Sequence, residues 1–216
     1  MIRVLIVDDH RLFRAGLVRM LSEVSTVKLV GEADCGEEAV QLCRDLRPNV
    51  VLMDLFMPGI GGIEACRRIV AQKLDIKVLM VSGCIENPFP SQALRAGAVG
   101  YVSKSILIDE LVTAIKKAFV GKRYLSREVA HQLALNSFNE HADSPFEQLS
   151  GREMQIMLMV VNCHKVTEIS SNLHLSPKTV NSYRYRIFEK LNVSSDVELA
   201  LMAVRHGMIA PEARAR

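Results

Sequence analysis

Long apolar runs and paired cysteines are both absent from this sequence, and each absence excludes a class of protein. No apolar run reaches the roughly 18 residues that cross a membrane. Residues 1–7 lead directly into two aspartates, which predicts a strand rather than a secretion signal. The five cysteines are odd in number, widely spaced and without a Cys-x-x-Cys pair. Neither a disulfide framework nor a structural zinc site is therefore indicated, and we expect buried, reduced thiols in a cytoplasmic protein.

The chain also has little excess of either charge, since its net charge is +3. From position 126 onward ten Lys or Arg residues balance ten Asp or Glu residues. Within 176–190, however, one acid, Glu189, stands among four bases: Lys178, Arg184, Arg186 and Lys190. A local basic stripe on a neutral module is typical of a nucleic-acid-binding face.

The first 122 residues alternate short apolar runs with amphipathic stretches. The runs are rich in Val, Ile and Leu, as in strands buried on both faces, and they lie at 4–7, 29–33, 50–53, 78–81 and 100–102. Helical patterns fill the intervals near 11–22, 37–46, 62–71, 90–96 and 108–119. This order predicts an α/β domain with a doubly wound, five-stranded parallel sheet.

The remainder of the chain shows no strand pattern. Residues 123–147 read as a linker that contains one short helix. Four helices are expected over 148–210, which indicates a small all-α domain. The first opens with a capping box of Ser150 and Glu153, the third starts at Ser176-Pro177, and the fourth starts at Ser194 or Ser195 and ends at Gly207.

Three carboxylates are expected to meet at one edge of the sheet. Asp8 and Asp9 follow the first strand, and Asp54 follows the third. With strand order 2-1-3-4-5, the ends of strands 1 and 3 flank the crevice where such sheets bind ligands. Three close negative charges repel one another unless a cation joins them, and oxygen ligands suit Mg²⁺. The metal would neutralise the charge that develops when a carboxylate attacks a phosphoryl group.

Other residues at the same edge complete this arrangement. Ser82 ends strand 4 and Lys104 follows strand 5, so a hydroxyl and an ammonium are available to phosphoryl oxygens. Gly83, which has no side chain, leaves room above the phosphoryl group. The Met57-Pro58-Gly59 turn frees the Phe56 carbonyl to face the metal.

These residues and spacings resemble the receiver domains of two-component response regulators, which have a flavodoxin-like fold. The resemblance implies that Asp54 is the phosphoacceptor and that Asp8, Asp9, Asp54 and the Phe56 carbonyl bind Mg²⁺. It further implies that Ser82 and Tyr101 form a switch pair and that Lys104 contacts the phosphate. Many receivers have Pro after this lysine, whereas this chain has Ser105.

The third C-terminal helix has the pattern of a helix that enters DNA. Val180, Ile187 and Leu191 form a narrow apolar stripe, with polar side chains opposite. Asn181 is positioned to read base edges, through bidentate pairing with adenine, supplemented by Ser182 or Tyr185. Basic and hydroxyl side chains are expected on the phosphates. The full predicted contact set is Lys178, Thr179, Asn181, Ser182, Tyr183, Arg184, Tyr185, Arg186 and Lys190.

Residues 149–209 resemble the LuxR/NarL (FixJ) family of helix-turn-helix domains, through motifs at 149–153, 166–169, 175–183 and 187–191. Many members have Gly near 162 or 163; this chain has Asn162-Cys163, and Asn tolerates a left-handed conformation. A narrower resemblance, to the GacA/UvrY group, rests on 176–192, 195–199 and 205–208, and on 86–90 and 121–124.

The narrower resemblance implies partners and targets. It implies a hybrid sensor histidine kinase of the GacS/BarA type and activation, with RNA polymerase, of small regulatory RNA genes. One module buries too little surface for tight specific binding, so we expect a homodimer, formed on phosphorylation, on an inverted repeat in double-stranded DNA. The resemblance implies half-sites near TGTAAG. We expect no enzyme activity of the chain's own and no membrane partner.

Two alternatives remain open. One is a Mg²⁺-dependent phosphatase or phosphomutase with an aspartate nucleophile. Such enzymes place a second aspartate two residues later, where this chain has Phe56, which cannot donate a proton. The other is a regulator that binds DNA without phosphorylation, and the acidic residues argue against it without excluding it.

Overall fold

The chain divides into two compact units, Met1–Glu140 and His141–Arg216. This computed structural model describes residues 1–85, 88–138, 145–173, 175–206 and 208. Parts of the expected linker and of the motifs at 86–90 and 205–208 therefore lie outside the described residues, as does the expected helix end at Gly207.

The first unit is built on a fully parallel sheet, as the apolar runs predicted. Its strand order is β2-β1-β3-β4-β5-β6, which confirms the doubly wound topology with the reversal between β1 and β3. The described residues contain six strands rather than the expected five: β1 Ile2–Val7, β2 Val27–Ala33, β3 Val50–Met53, β4 Lys77–Ser82, β5 Gly100–Ser103 and β6 Tyr124–Leu125.

Helices cover both faces of this sheet. They are α1 Arg11–Ser22, α2 Gly36–Leu46, α3 Gly61–Ala71, α4 Phe89–Arg95, α5 Ile108–Phe119 and α6 Arg127–Phe138. On one face, alternate strand residues such as Val4 and Ile6 pack with Leu17 of α1 and Ile115 of α5. Because the intervening strand residues, such as Leu5, are equally buried, the strands read as continuous apolar runs.

Strand β6 and helix α6 lie in the segment that the sequence assigned to a linker. Tyr124 and Leu125 pair in parallel with β5, and the Ser126 N–H donates to the carbonyl of Tyr101 at 3.1 Å. Val129 of α6 is completely buried. The sheet therefore extends beyond residue 122, through a strand too short to give an alternating pattern.

The described residues of the second unit form four α-helices, as predicted: α7 Gly151–Val161, α8 Val166–Leu173, α9 Pro177–Leu191 and α10 Asp196–Arg205. A single 3₁₀ turn, Pro145–Gln148, precedes them. The capping box of Ser150 and Glu153 is confirmed. Ser176 caps α9 ahead of Pro177, and Ser195, rather than Ser194, caps α10.

The turn between α7 and α8 differs from the expectation for Asn162. Asn162 has a right-handed φ of −83°, and the left-handed residue is Cys163, with φ 62°. The Cys163 N–H donates to Val160 O and the His164 N–H to Met159 O, which together close the helix end. The left-handed position falls one residue after the helix cap, where many family members have Gly.

The cysteines only partly follow the expectation of burial. Cys43 and Cys66 are buried, Cys35 and Cys84 are partly buried, and Cys163 is exposed because its turn lies at the surface. Among the helices of the described residues, none combines the length and the apolar character needed to cross a bilayer.

Candidate functional site

The carboxyl ends of β1 and β3 place two aspartates side by side. Val7 is in register with Met53, the last residue of β3, and the Asp54 N–H donates to Val7 O at 2.8 Å. Asp8 and Asp54 are only 2% and 3% exposed. Two carboxylates are thus held close together and largely out of water, where ionising both is costly.

Lys104 joins this pair from the end of β5. Its ammonium lies 2.8 Å from Asp8 Oδ2 and 3.0 Å from Asp54 Oδ2. The Lys104 N–H donates to Ser82 O at 2.8 Å, which fixes the backbone, and the Phe13 ring lies 4.8 Å from the ammonium. The structure therefore brings three of the predicted residues into direct contact.

Burial and charge shift the pKa values of these groups. Burial raises the pKa of Asp54 to about 6, because the opposing effect of Lys104 is the smaller of the two. Burial also raises the pKa of Asp9. For Lys104 burial acts in the other direction, but Asp54 and Asp8 outweigh it and hold the lysine pKa above its usual value. At neutral pH the cluster keeps an ionised, nucleophilic Asp54 beside a charged lysine.

The carboxylates offer oxygen donors for a divalent cation. Ligand atoms of Asp8, Asp9, His10 and Asp54 all lie within 4.8 Å of one another. The Oδ1 atom of Asp9 is buried and accepts no hydrogen bond, although His10 Nδ1 lies 3.0 Å away. Asp9 Oδ1 is thus a buried oxygen that accepts no hydrogen bond, and the carboxylates carry more negative charge than the nearby groups neutralise. Both features suit a hard cation such as Mg²⁺.

A pocket of about 480 Å³ opens above Asp54. Its wall contains the predicted residues Ser82, Gly83 and Phe56, together with Lys104. The Ser82 hydroxyl is buried and accepts the Cys84 N–H at 3.1 Å. The space beside Asp54 can therefore hold a phosphoryl group with a hydroxyl and an ammonium at its edge.

Tyr101 is connected to this pocket without lining it. Its ring is completely buried, and its hydroxyl donates to the Cys84 carbonyl at 2.5 Å. The backbone of Cys84 thus contacts Ser82 through its N–H and Tyr101 through its carbonyl. The two predicted switch residues are linked by a single residue.

Sequence reasoning missed three residues that shape the site. Phe13 and Leu12 of α1 line the pocket, and Phe13 faces Lys104. Gly62 packs so closely that a Cβ there would lie 1.9 Å from the Asp54 carbonyl oxygen. The Gly61-Gly62 pair at the start of α3 was the available signal, because two glycines at a helix start indicate close backbone approach.

Helix α9 presents its faces as its sequence predicted. Val180, Ile187 and Leu191 are buried. Five predicted contact residues are exposed, among them Tyr185 at 72%; they are Lys178, Ser182, Tyr185, Arg186 and Lys190. Tyr183 and Thr179 are partly buried. The Tyr183 ring faces Arg186 at 5.8 Å, and the Thr179 hydroxyl lies 2.8 Å from that of Ser176.

Two basic residues of the predicted set have protein partners. Lys190 donates to Glu153 Oε2 at 2.7 Å and to the Gln148 carbonyl at 3.2 Å. Glu153 is 4% exposed, and although burial raises its pKa, hydrogen bonds from Lys190 and Ser150 bring the pKa below its usual value. Arg184 reaches Asp196 at 2.5 Å and Asn181 at 3.1 Å.

Comparison with known proteins gives matches in both units. Residues 4–116 match the response regulator receiver domain family, and residues 147–203 match the bacterial regulatory proteins of the luxR family. The chain is 57% identical over 210 residues to the response regulator GacA of Pseudomonas aeruginosa, covering 97% of this chain and 98% of GacA. It is 52% identical over 213 residues to the response regulator UvrY of Escherichia coli K12, covering 98% of each.

A solved complex of the response regulator RcsB with DNA is also similar. It is 25% identical, with a TM-score of 0.58, over 93% of this chain and 96% of that one.

Proposed function

This chain belongs to the two-component response regulators that carry a LuxR-type DNA-binding domain, and on that premise we propose that phosphorylation of Asp54 by a cognate sensor kinase promotes dimeric, sequence-specific DNA binding. Transcription activation of small regulatory RNA genes is the proposed outcome, as the relatedness to GacA and UvrY suggests. The observation that carries the proposal is the buried Asp54 carboxylate, which opens on a pocket beside Lys104.

The geometry of the pocket supports the proposed phosphoryl transfer to Asp54. An Asp54 carboxylate oxygen forms the new bond to phosphorus as the bond from phosphorus to the donor breaks. Lys104 is placed to pair with the phosphoryl oxygens, and the Ser82 hydroxyl to donate to one of them. Receiver domains typically bind Mg²⁺ at such an acidic pocket, and Asp8, Asp9, Asp54 and the Phe56 carbonyl would hold it. Bound there, the metal supplies charge neutralisation for the incoming phosphoryl group.

The signal would leave the pocket through Cys84. If Ser82 turns its hydroxyl toward a phosphoryl oxygen, its contact with the Cys84 N–H changes. The Cys84 carbonyl, which holds the Tyr101 hydroxyl, belongs to the same residue. Ser82 and Tyr101 therefore form the proposed switch, and Cys84 connects them.

Helix α9 is the proposed DNA-reading element. Its N-terminal half carries the exposed Lys178 and Ser182 and the half-buried Asn181, with the exposed Tyr185 one turn further on. Lys178 and Arg186, with Thr179, remain the proposed phosphate contacts, because Arg184 and Lys190 have protein partners. One such module buries too little surface for tight specific binding, which favours a dimer on an inverted repeat.

The remaining partners follow from the family. A sensor kinase would supply the phosphoryl group, and a hybrid kinase of the GacS/BarA type is the specific proposal. RNA polymerase would be the target of activation, and the cytoplasm the place of action. The phosphatase alternative receives no support from the pocket, where Phe56 occupies the position of the required second acid.

The decisive experiment is DNA binding with and without a small-molecule phosphodonor. Wild-type protein and Asp54→Asn are incubated with acetyl phosphate and Mg²⁺ and titrated onto an inverted repeat of TGTAAG and onto one isolated half-site. The proposal expects acetyl phosphate to strengthen wild-type binding to the repeat at least about tenfold, with no change for Asp54→Asn. Equal binding of wild type with and without the donor would favour the alternative of a phosphorylation-independent regulator.

A further inference from the structure

We propose that Asp196 and Arg184 are positioning residues that hold the amide of Asn181 in the orientation that reads guanine. This inference rests on the proposed function, because it assigns the base preference of the DNA-reading helix. It concerns three residues on α9 and α10, and it differs from the adenine pairing that the sequence suggested for Asn181.

The three side chains form a continuous hydrogen-bonded row. Asp196 Oδ2 accepts from Arg184 Nη2 at 2.5 Å, and Arg184 Nη1 donates to Asn181 Oδ1 at 3.1 Å. The Arg184 side chain is 23% exposed, and its guanidinium lies 5.8 Å from the Phe188 ring. The arginine is thus held between an acid, an amide and a ring, all in the same unit.

The chemistry of arginine fixes which atom of the amide it meets. A guanidinium carries only donors, so the Asn181 atom that faces it has to be the carbonyl oxygen Oδ1. The NH₂ group is then the part of the amide that is left to meet a base. Asn181 therefore acts as a donor in the groove, with two N–H bonds.

An amide held by a neighbouring guanidinium has a different preference from a freely rotating one. Bidentate pairing with adenine needs Oδ1 to accept from N6 and Nδ2 to donate to N7. Arg184 already occupies one of the two lone pairs of Oδ1 and holds the amide plane, so pairing with adenine competes with this contact. Guanine offers two adjacent acceptors, N7 and O6, and suits the NH₂ group.

The hydrogen-bonded row also connects the proposed DNA-reading helix α9 to its neighbour α10. Asp196 is the first residue of α10, directly after the Ser195 cap, so its position is set by the start of that helix. On α9, Arg184 lies about 40° around the axis from the buried Val180, and thus on the side toward the protein. Arg184 is consequently placed to orient Asn181 rather than to contact a phosphate.

The test is a base-substitution profile of the operator. Phosphorylated full-length protein is titrated onto inverted repeats of TGTAAG in which each half-site position carries each of the four base pairs in turn. Asn181→Ala identifies the position that Asn181 reads, as the one where base preference is lost. At that position wild type should prefer guanine over adenine by about tenfold.

The positioning role is tested with Asp196→Ala and a matched control. Glu198→Ala removes another acid from the first turn of α10, but Glu198 accepts from Ser194 and not from Arg184. Asp196→Ala should reduce the preference for guanine over adenine to about threefold or less, and Glu198→Ala should leave it near tenfold. Asp196→Asn, which keeps an acceptor oxygen, should restore much of the preference, and thermal melting of each variant monitors folding.

Several outcomes would overturn the inference. They are a wild-type preference for adenine at the Asn181 position, an unchanged ratio in Asp196→Ala, an equal change in Glu198→Ala, and no position at which Asn181→Ala relaxes the preference. Failure of the proposed function looks different, because phosphorylated wild type would then bind no operator above random DNA.

Discussion

Lys104 and Asp54 form a buried ion pair, with 3.0 Å between Nζ and Oδ2, in which the pKa of both partners is raised. An acid beside a lysine ordinarily has a lowered pKa. Here burial is the largest influence on Asp54, and the neighbouring Asp8 adds to it. The ionised Asp54 that phosphorylation requires is therefore held in the fold at a cost in stability.

We expect Asp54→Asn to stabilise the metal-free protein at neutral and alkaline pH. The folded pKa of about 6 lies above the usual 3.8, so the contribution of Asp54 to stability is fullest below pH ~4 and is lost as pH rises through 6. The neutral amide avoids that loss. The gain in free energy of unfolding should reach about 1–3 kcal/mol above pH 7 and nearly vanish at pH 4.

Urea unfolding at pH 4 to 8 in a chelator measures this difference. Asp75→Asn is the control, because the Asp75 side chain is 93% exposed. A gain that is the same at every pH would contradict the assignment to the Asp54 carboxyl.

Removing one carboxylate from the crevice should weaken Mg²⁺ binding without unfolding the domain. We expect Asp9→Asn to raise the Kd for Mg²⁺ by about tenfold or more, because one of few oxygen donors loses its charge. Isothermal titration calorimetry suits this protein, which has no tryptophan to report binding. Asp75→Asn, at an acid whose side chain is 93% exposed, should leave the Kd unchanged, and equal effects of both variants would count against a metal site.

Tyr101→Phe should leave phosphorylation intact and reduce the gain in DNA affinity that follows it. The variant loses the hydrogen bond to the Cys84 carbonyl and about 1 kcal/mol of stability. We expect phosphate uptake from acetyl phosphate to stay within about twofold of wild type, while most of the gain in DNA affinity disappears. Tyr124→Phe is the control, since its hydroxyl donates to Glu110 at 2.6 Å and not to Cys84. Full retention of the DNA response in Tyr101→Phe would remove Tyr101 from the switch.

Lys190 and Lys178 should behave differently although both are lysines of α9. Lys190→Met leaves the buried Glu153 without its ammonium, so we expect a loss of about 1–3 kcal/mol in unfolding free energy and an unchanged salt dependence of DNA binding. Lys178→Met should leave stability within about 0.5 kcal/mol and reduce the slope of log K against log salt by about one unit per monomer. If Lys190→Met changed the slope and not the stability, the phosphate contact predicted from sequence would be the better description.

Two glycines offer a matched comparison for the backbone behind Asp54. Gly62→Ala would place a Cβ 1.9 Å from the Asp54 carbonyl oxygen, and we expect it to destabilise the receiver by several kcal/mol, as severe steric overlap does. Gly16→Ala has open space around its Cβ in the middle of α1 and should stabilise by up to about 1 kcal/mol. Thermal melting of the two variants measures both effects. A Gly62→Ala variant that melts like wild type would contradict the close packing of Gly62 against the Asp54 carbonyl.

The sequence predicted best what depends on short-range pattern. Fully buried strands gave continuous apolar runs, and Ser150 lies only three residues from Glu153, so the sheet and the capping box could both be read directly. Asp8 and Asp54 could be brought together because parallel topology aligns the strand ends. The two-residue β6 has no periodicity to detect.

The side-chain partners of the basic residues could not be predicted. Lys190 reaches Glu153 across 37 positions, and Arg184 reaches Asp196 across 12. Such pairs depend on how α9 packs against its neighbouring helices. The helical periodicity of α9 predicts which of its faces is polar, but not which polar residues contact another helix. A basic residue that contacts a neighbouring helix and one that contacts a phosphate therefore look alike in sequence.

The pairing of β6 with β5 has a consequence for how the receiver can vary. The hydrogen bond from the Ser126 N–H to the Tyr101 carbonyl connects the residue that precedes α6 to the backbone of Tyr101. A shift of β5 at Tyr101 would thus move the start of α6 directly, through main-chain atoms that every residue type except proline possesses. The connection itself does not depend on which side chain follows β6, whereas an insertion or deletion of one residue at 123–127 would shift the register and disconnect α6 from Tyr101.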